Sequence, residues 1–207
     1  MSQFFQIHPD NPQQRLINQA VEVLRQGGVI VYPTDSAYAL GCHIGDKKAL
    51  DRIRSIRQVS KNHNFTLVCR DLSEISTYAK LSNNALYRSL NAHTPGAYTF
   101  ILQATSEVPR RLMHPKRRTI GIRIPSNPIA QMLLEEHREP IMSSTLILPG
   151  DDMPMTDPYE IREILEHQVD LVIDGGYCGL EPTTVVDMTG DVPEISRKGE
   201  GDPAPFE

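Results

Sequence analysis

No apolar run in this chain approaches the roughly 18 residues that would mark a membrane-spanning helix. The opening stretch, MSQFFQIHPD, lacks a basic region followed by an apolar one and does not read as a secretion signal. Cysteine is scarce. Cys42, Cys69 and Cys178 are odd in number, widely spaced and never arranged as CxxC. They are expected to be buried, reduced thiols of a cytoplasmic protein. The seven histidines are scattered, with no HExxH and no Cys/His metal spacing, so no structural metal is expected. GxxxxGK[ST], GxGxxG after a strand and GxSxG are all missing, so P-loop, dinucleotide and hydrolase-elbow chemistries have no signal. There is no internal repeat and no low-complexity segment.

The 207 residues suffice for one good core, and 39% apolar with 23% charged residues is ordinary for a globular chain. The net charge of −5 hides an asymmetry. Residues 1–134 carry 17 Lys/Arg against 8 Asp/Glu, and residues 135–207 carry 4 against 18. The cations concentrate in two segments without acids. Arg52, Arg54, Arg57, Lys61 and Arg70 lie in the first, between Asp51 and Asp71, and Arg110, Arg111, Lys116, Arg117, Arg118 and Arg123 in the second, between Glu107 and Glu135. Two such segments raise the expectation of a polyanion partner, nucleic acid or a nucleotide phosphate chain.

Periodicity alternates strands and helices. Strands are expected at 4–8, 29–32, 37–42, 65–69, 97–103, 119–124, 141–147, 171–173, 183–187 and 194–197. Helices are expected at 47–57, 72–81, 84–91, 128–136 and 159–167. A first helix with Ile17, Ala20, Val21 and Leu24 on one face is expected to start at an Asn11 cap with Pro12 in its first turn, and to end at Gly27–Gly28. The pattern predicts an α/β chain: one twisted mixed parallel/antiparallel sheet with flanking helices and a concave basic face. The tail from Gly199 is expected to be mobile.

The stretch VIVYPTDSAYALGC, residues 29–42, joins two strands without Asn-Gly or Asp-Gly. Thr34, Asp35 and Ser36 stand there instead, and a hydroxyl-capped turn is the simplest account of them. Together with RSIRQVSK, TPGAYTFIL, IGIRIPSNPIAQMLL, EPTTVVD and ISRKGEG, this stretch resembles, in order, the YrdC-like family, whose best-known members are threonylcarbamoyl-AMP synthases. Within the family the chain is most similar to the YciO subgroup. The likeness runs from about residue 14 to 200, leaving residues 1–13 as an extension and 201–207 as a tail.

The resemblance implies a cavity for ATP or an AMP-containing ligand and threonine. Mg2+ would be present only as the ATP counter-ion. By that likeness Thr34 lines the amino-acid end, Arg57, Lys61 and Arg197 face phosphates, and Arg123 and Ser144 lie at the small-molecule end. Thr119, Thr145, Thr183 and Thr184 supply hydroxyls. Double-stranded RNA or tRNA is the expected partner of Arg52, Arg54, Arg110, Arg111, Lys116, Arg117 and Arg118. Of four polar family positions Arg57 is kept, a serine is replaced conservatively by Thr145, and two are lost, a lysine to Ser55 and an asparagine to Ile147. Serine supplies no ammonium charge, and isoleucine neither donates nor accepts. The implied function is nucleotide and RNA binding with a degenerate threonylcarbamoyl-adenylate site, acting on that adenylate other than by efficient synthesis. The alternatives are an active synthase in tRNA modification and a non-catalytic binding protein.

Overall fold

The computed structural model describes residues 1–207. Ten strands join one sheet: β1 (Gln3–Gln6), β2 (Ile30–Tyr32), β3 (Ala39–His43), β4 (Thr66–Val68), β5 (Tyr98–Gln103), β6 (Thr119–Arg123), β7 (Ile141–Thr145), β8 (Leu171–Asp174), β9 (Thr184–Asp187) and β10 (Glu194–Arg197). Their order is β1-β8-β2-β3-β7-β4-β6-β5-β9-β10. The β1/β8, β2/β8, β4/β6 and β5/β9 pairs are parallel and the other five antiparallel, so the sheet is mixed as expected. Six helices flank it: α1 (Gln14–Arg25), α2 (Lys47–Arg57), α3 (Leu72–Tyr78), α4 (Asn84–His93), α5 (Pro128–His137) and α6 (Pro158–Leu165).

Alternation along the strands divides the core. Ile30, Tyr32, Val68, Ile141, Leu171 and Ile173 pack with α1 and α5 on one face. Val31, Leu40, Leu67, Ile122, Val172 and Val186 pack with α2 and α6 on the other. Residues i and i+2 share a face, so near-continuous apolar strands feed both layers. Five helices begin at an acidic or amide cap: the side chains of Asp46, Asp71, Asn83, Asn127 and Asp157 each accept a backbone N–H of the first turn.

The start of α1 differs from the expectation. Asn11 does not cap it and Pro12 is not in its first turn; Gln13 precedes the first helical residue without a side-chain cap. The Asn11 amide donates instead to His8 Nδ1, and the His8 amide donates to Gln13 Oε1, so the chain turns over 8–13 before the helix begins. The helix expected over 72–81 stops at Tyr78, because Ala79 is extended and bridges Ala104. Cys42 and Cys69 are buried, but Cys178 is only partly so; all three are free, and burial pushes the Cys42 thiol up to about 12 and Cys178 to about 11.

The ends of the chain are held. β1 pairs with β8 along its length. The tail expected to be mobile is packed: Phe206 is 7% exposed and lies against the rings of His93, Tyr98 and Phe100. The Tyr98 hydroxyl adds a hydrogen bond to the Asp202 carbonyl. One aromatic residue supplies the apolar area that anchors an otherwise polar tail. No helix is long and apolar enough to cross a membrane.

Candidate ligand-binding site

The α1/α5 layer does not extend over the whole sheet, and a cavity of about 430 Å³ lies beyond it. Cross-strand partners share a face. Ser143 on β7 pairs with Thr66 on β4, Thr66 with Gly121 on β6, and Gly121 with Ile101 on β5. All four line the cavity. Ser143, Thr66 and Gly121 in that row leave room where larger side chains would fill it. A Cβ on Gly121 would stand 3.1 Å from Thr99 Cγ2, so glycine keeps the floor open. The hydroxyl-bearing residues Ser36, Thr99, Thr119, Ser144, Thr145, Thr183 and Ser196 also line this space.

Four guanidiniums reach it: Arg57 from the end of α2, Arg117 from the loop before β6, Arg123 from the end of β6 and Arg197 from the end of β10. Two have carboxylate partners. Arg123 pairs with Asp35 and also donates to Ser36 Oγ at 3.2 Å. Arg117 pairs with Asp187 at 2.5 Å. Burial disfavours the Asp187 charge, but hydrogen bonds from Thr189 and Arg117 outweigh it and hold the carboxyl below its usual range.

Arg57 and Arg197 have no carboxylate within 4.0 Å. Arg57 donates to Ser144 Oγ at 2.6 Å and the Ile147 carbonyl at 3.2 Å, and Arg197 donates twice to the Thr183 carbonyl, at 2.8 and 3.1 Å. Burial lowers both pKa values, and Arg123 lowers that of Arg197 further. Partly buried cations held only by neutral acceptors form a ready site for an anion.

The turn between β2 and β3 divides its labour among three residues. Thr34 Oγ1 accepts from the Ser36 and Ala37 amides, both at 3.2 Å, and donates to the Ala37 carbonyl at 2.6 Å. Asp35 accepts from Arg123 and from the amide and hydroxyl of Ser126. Ser36 faces the cavity. Thr34, expected in the cavity wall, is therefore the turn cap: it is 5% exposed and its hydroxyl is fully engaged. Thr34→Val should cost about 1–3 kcal/mol, the penalty for stranding buried amides, and leave any ligand-induced rise in melting temperature unchanged. A shrunken ligand shift with an unaltered ligand-free melt, read by thermal denaturation, would return Thr34 to the site.

Other expected residues divide between the cavity and elsewhere. Arg57, Thr119, Arg123, Ser144, Thr145, Thr183 and Arg197 line it. Thr184 does not: its hydroxyl donates to the Gly201 carbonyl and accepts from the Gly199 amide, fastening the tail. Lys61 is also outside. It stands in an outer cleft with Lys47, Arg54, Ser55 and Arg111, beside α2. Ser55 is exposed there, whereas Ile147 is in the cavity wall.

The two basic segments converge only in part. Arg57, Arg117 and Arg123 meet at the cavity. Arg52 turns away to Asp170 at 2.7 Å and the Gln168 carbonyl. Arg54 is tied to Asp51 and lies over the Phe65 ring, and Arg111 donates to the Gly45 carbonyl. Arg110, Lys116 and Arg118 are exposed on the loop that carries Arg117.

His63 is a site residue that the motifs did not mark. It lines the cavity, and Arg57 donates to its Nε2 at 3.3 Å. Only its place between a basic segment and Phe65 could have suggested it. Burial, then Arg57 and Arg54, lower its pKa. Without ligand, the unfolded chain takes up this proton first as pH falls. The contribution to stability is present above the unfolded value near 6.5 and is lost as pH falls toward the lowered folded value. An anion seated beside it acts in the opposite sense and raises its pKa. Binding of an adenylate analogue with a single fixed negative charge should then take up a proton and tighten as pH falls from about 7.5 toward 6, by up to ~10-fold per pKa unit displaced. Calorimetry in two buffers of different protonation enthalpy measures the uptake, and His63→Gln should abolish it.

The family described as Telomere recombination, Sua5/YciO/YrdC, matches residues 22–199. The Escherichia coli protein YciO is 63% identical over 206 residues, covering 100% of both chains. Its crystal structure superposes with a TM-score of 0.95 at 62% identity, again over 100% of both. A threonylcarbamoyl-AMP synthase from Coxiella burnetii is 30% identical over 179 residues, 85% of this chain and 95% of that one. The P. abyssi Sua5 structure in complex with L-threonine shares the fold at TM-score 0.86 and 23% identity, covering 95% of this chain and 57% of that one. The chain belongs to the Sua5/YciO/YrdC family and is related to its threonylcarbamoyl-AMP synthases.

Proposed function

We propose that the cavity binds the adenylate of a carbamoylated amino acid, of the threonylcarbamoyl-AMP class, and that the chain hydrolyses it rather than making it efficiently. The observation that carries this reading is the pair Arg57 and Arg197, partly buried cations without carboxylates facing a hydroxyl-lined cavity. A volume near 430 Å³ lies in the range of pockets that take a ligand of this size, an adenine, a ribose, one phosphate and a carbamoylated small amino acid. Synthesis makes a further demand, because a triphosphate needs more positive charge at the β- and γ-positions. Ser55, where the family has a lysine, stands in the outer cleft beside α2 and not in the cavity, so the shortage of charge rests on the lining itself: of its four guanidiniums, Arg117 and Arg123 are already paired with carboxylates. Ile147 gives the wall an apolar patch where the family has an amide. ATP, with Mg2+ as its counter-ion, is then the poorer ligand.

The reaction balances simply. Water attacks the carbamoyl carbon, the C–O bond to phosphate breaks, and AMP leaves with the electron pair. The carbamate that forms loses CO2, giving threonine. Guanidiniums around the phosphate stabilise the leaving charge. The exposed Arg110, Lys116 and Arg118, on the loop that carries Arg117, form the RNA-facing part of the reading and contact phosphates of double-stranded RNA or tRNA. It implies a cytoplasmic protein.

Incubation with preformed threonylcarbamoyl-adenylate should release AMP and threonine faster than buffer does. Parallel incubation with threonine, bicarbonate and labelled ATP should give little adenylate. Efficient synthesis in the second arm would make the chain a synthase, and no change in either arm would leave a binding protein. Replacing Arg110, Lys116 and Arg118 together by alanine should flatten the salt dependence of tRNA binding; absence of binding at low salt removes the RNA part alone.

A further inference from the structure

At the opposite end of β3 and β7 from the Ala39–Thr145 pair, three side chains form a second cluster. His43 ends β3, opposite Ile141 at the start of β7. α5 ends at His137, and Glu139 lies on the short link from that helix into β7. His137 is 3% exposed, and neither of its ring nitrogens has a hydrogen-bond partner. A buried polar side chain left without partners carries a desolvation cost and calls for one. His43 Nε2 stands 2.8 Å from Glu139 Oε2, and the ligand atoms of all three residues lie within 4.8 Å of one another. The side chains of His43 and Glu139 are 28% and 50% exposed, which opens a way in from solvent.

We infer that His43, His137 and Glu139 form a binding site for a borderline divalent cation of the Zn2+ type. Two imidazoles and a carboxylate are a donor set that such ions favour over Mg2+ or Ca2+, and water would complete four-coordination. Ligands bound at about 2.0–2.2 Å in a tetrahedron stand roughly 3.3 Å apart, so the His43–Glu139 pair, now at 2.8 Å, must open slightly to admit the ion while His137 adjusts toward it within the 4.8 Å cluster. The rings of His43 and His137 now meet edge to face with centroids 5.3 Å apart, so the adjustment asked of them is one of side-chain orientation. Coordination also requires a proton shift. His43 Nδ1 accepts from the Gly45 amide at 3.0 Å; once Nε2 binds the ion, Nδ1 carries the proton, and the exposed Gly45 amide turns to water. The ion would tie the end of α5 to the adjoining ends of β3 and β7. This runs against the expectation from spacing that the chain holds no metal, because His43 and His137 come together only through the sheet.

The test uses the full chain without an affinity tag, stripped by a chelator. Calorimetric titration with Zn2+ should give one equivalent, and Co2+ should give visible absorption of a low-coordinate nitrogen and oxygen site. Zn2+ should also raise the melting temperature. His137→Gln and Glu139→Gln should each weaken binding at least ~10-fold. Glu139 is exposed, so its variant keeps the test valid even where His137→Gln fails to fold. No saturable binding by the unaltered chain, or binding that survives both Glu139→Gln and His43→Gln, overturns the inference.

Discussion

Arg123→Met should lower the free energy of unfolding by about 3–5 kcal/mol, the cost of removing one partner from a buried ion pair. The Arg123 and Asp35 side chains are 9% and 11% exposed, so neither charge is well hydrated. Asp35 keeps the Ser126 amide and hydroxyl at 2.9 and 3.0 Å, but these neutral donors do not replace a guanidinium. A loss of this size is a large part of the 5–15 kcal/mol that holds a typical domain together. The companion variant separates burial from function. Asp35→Leu combined with Arg123→Met removes both charges and should recover more than half of the lost stability in urea denaturation, while ligand binding stays impaired. Two single losses that simply add would show that the pair does not couple, and Arg123 would then be held by Ser36 and the cavity alone.

That pair also marks how far the sequence could be read. Local patterns were legible because they depend on neighbours in the chain. The apolar run at 29–32, the apolar face of α2 and the Pro128 start of α5 all appear within a few residues of where the sequence pattern places them. The turn at 34–36 was legible as a set of polar residues but not as a division of roles, since Asp35 finds Arg123 only when β6 lies across the sheet from β2.

The charge asymmetry misled in a similar way. Part of the basic half is neutralised by acids from the other half of the chain: Asp170 takes Arg52 and Asp187 takes Arg117. A run free of local acids does not mark a face free of acids. His63 carried no pattern at all. Thr184 and Phe206 bind the tail through one hydroxyl and one ring, below the threshold of any periodicity.

Arg57 and Arg197 separate ligand binding from folding. Arg57→Gln and Arg197→Gln should each weaken binding of an adenylate analogue by roughly 1.5–3 kcal/mol, the worth of a hydrogen bond to a charged group, or about 10- to 150-fold. The double variant should lose the sum if the two contact different oxygens and do not share partners. Stability of the free protein should move little, or rise. Each guanidinium is partly buried without a counter-ion, and Arg197 is further opposed by Arg123. Glutamine still donates a hydrogen bond, to Ser144 from position 57 or to the Thr183 carbonyl from position 197, without the desolvated charge. Arg57→Lys keeps the charge but loses the planar fork, so its affinity should fall between that of the unaltered chain and Arg57→Gln. Calorimetry with the analogue and urea midpoints without it supply the two axes. The opposite pattern, unchanged affinity with midpoints lowered by the loss of the Ile147 and Thr183 contacts, would make both arginines structural clasps and remove the anion site from the cavity.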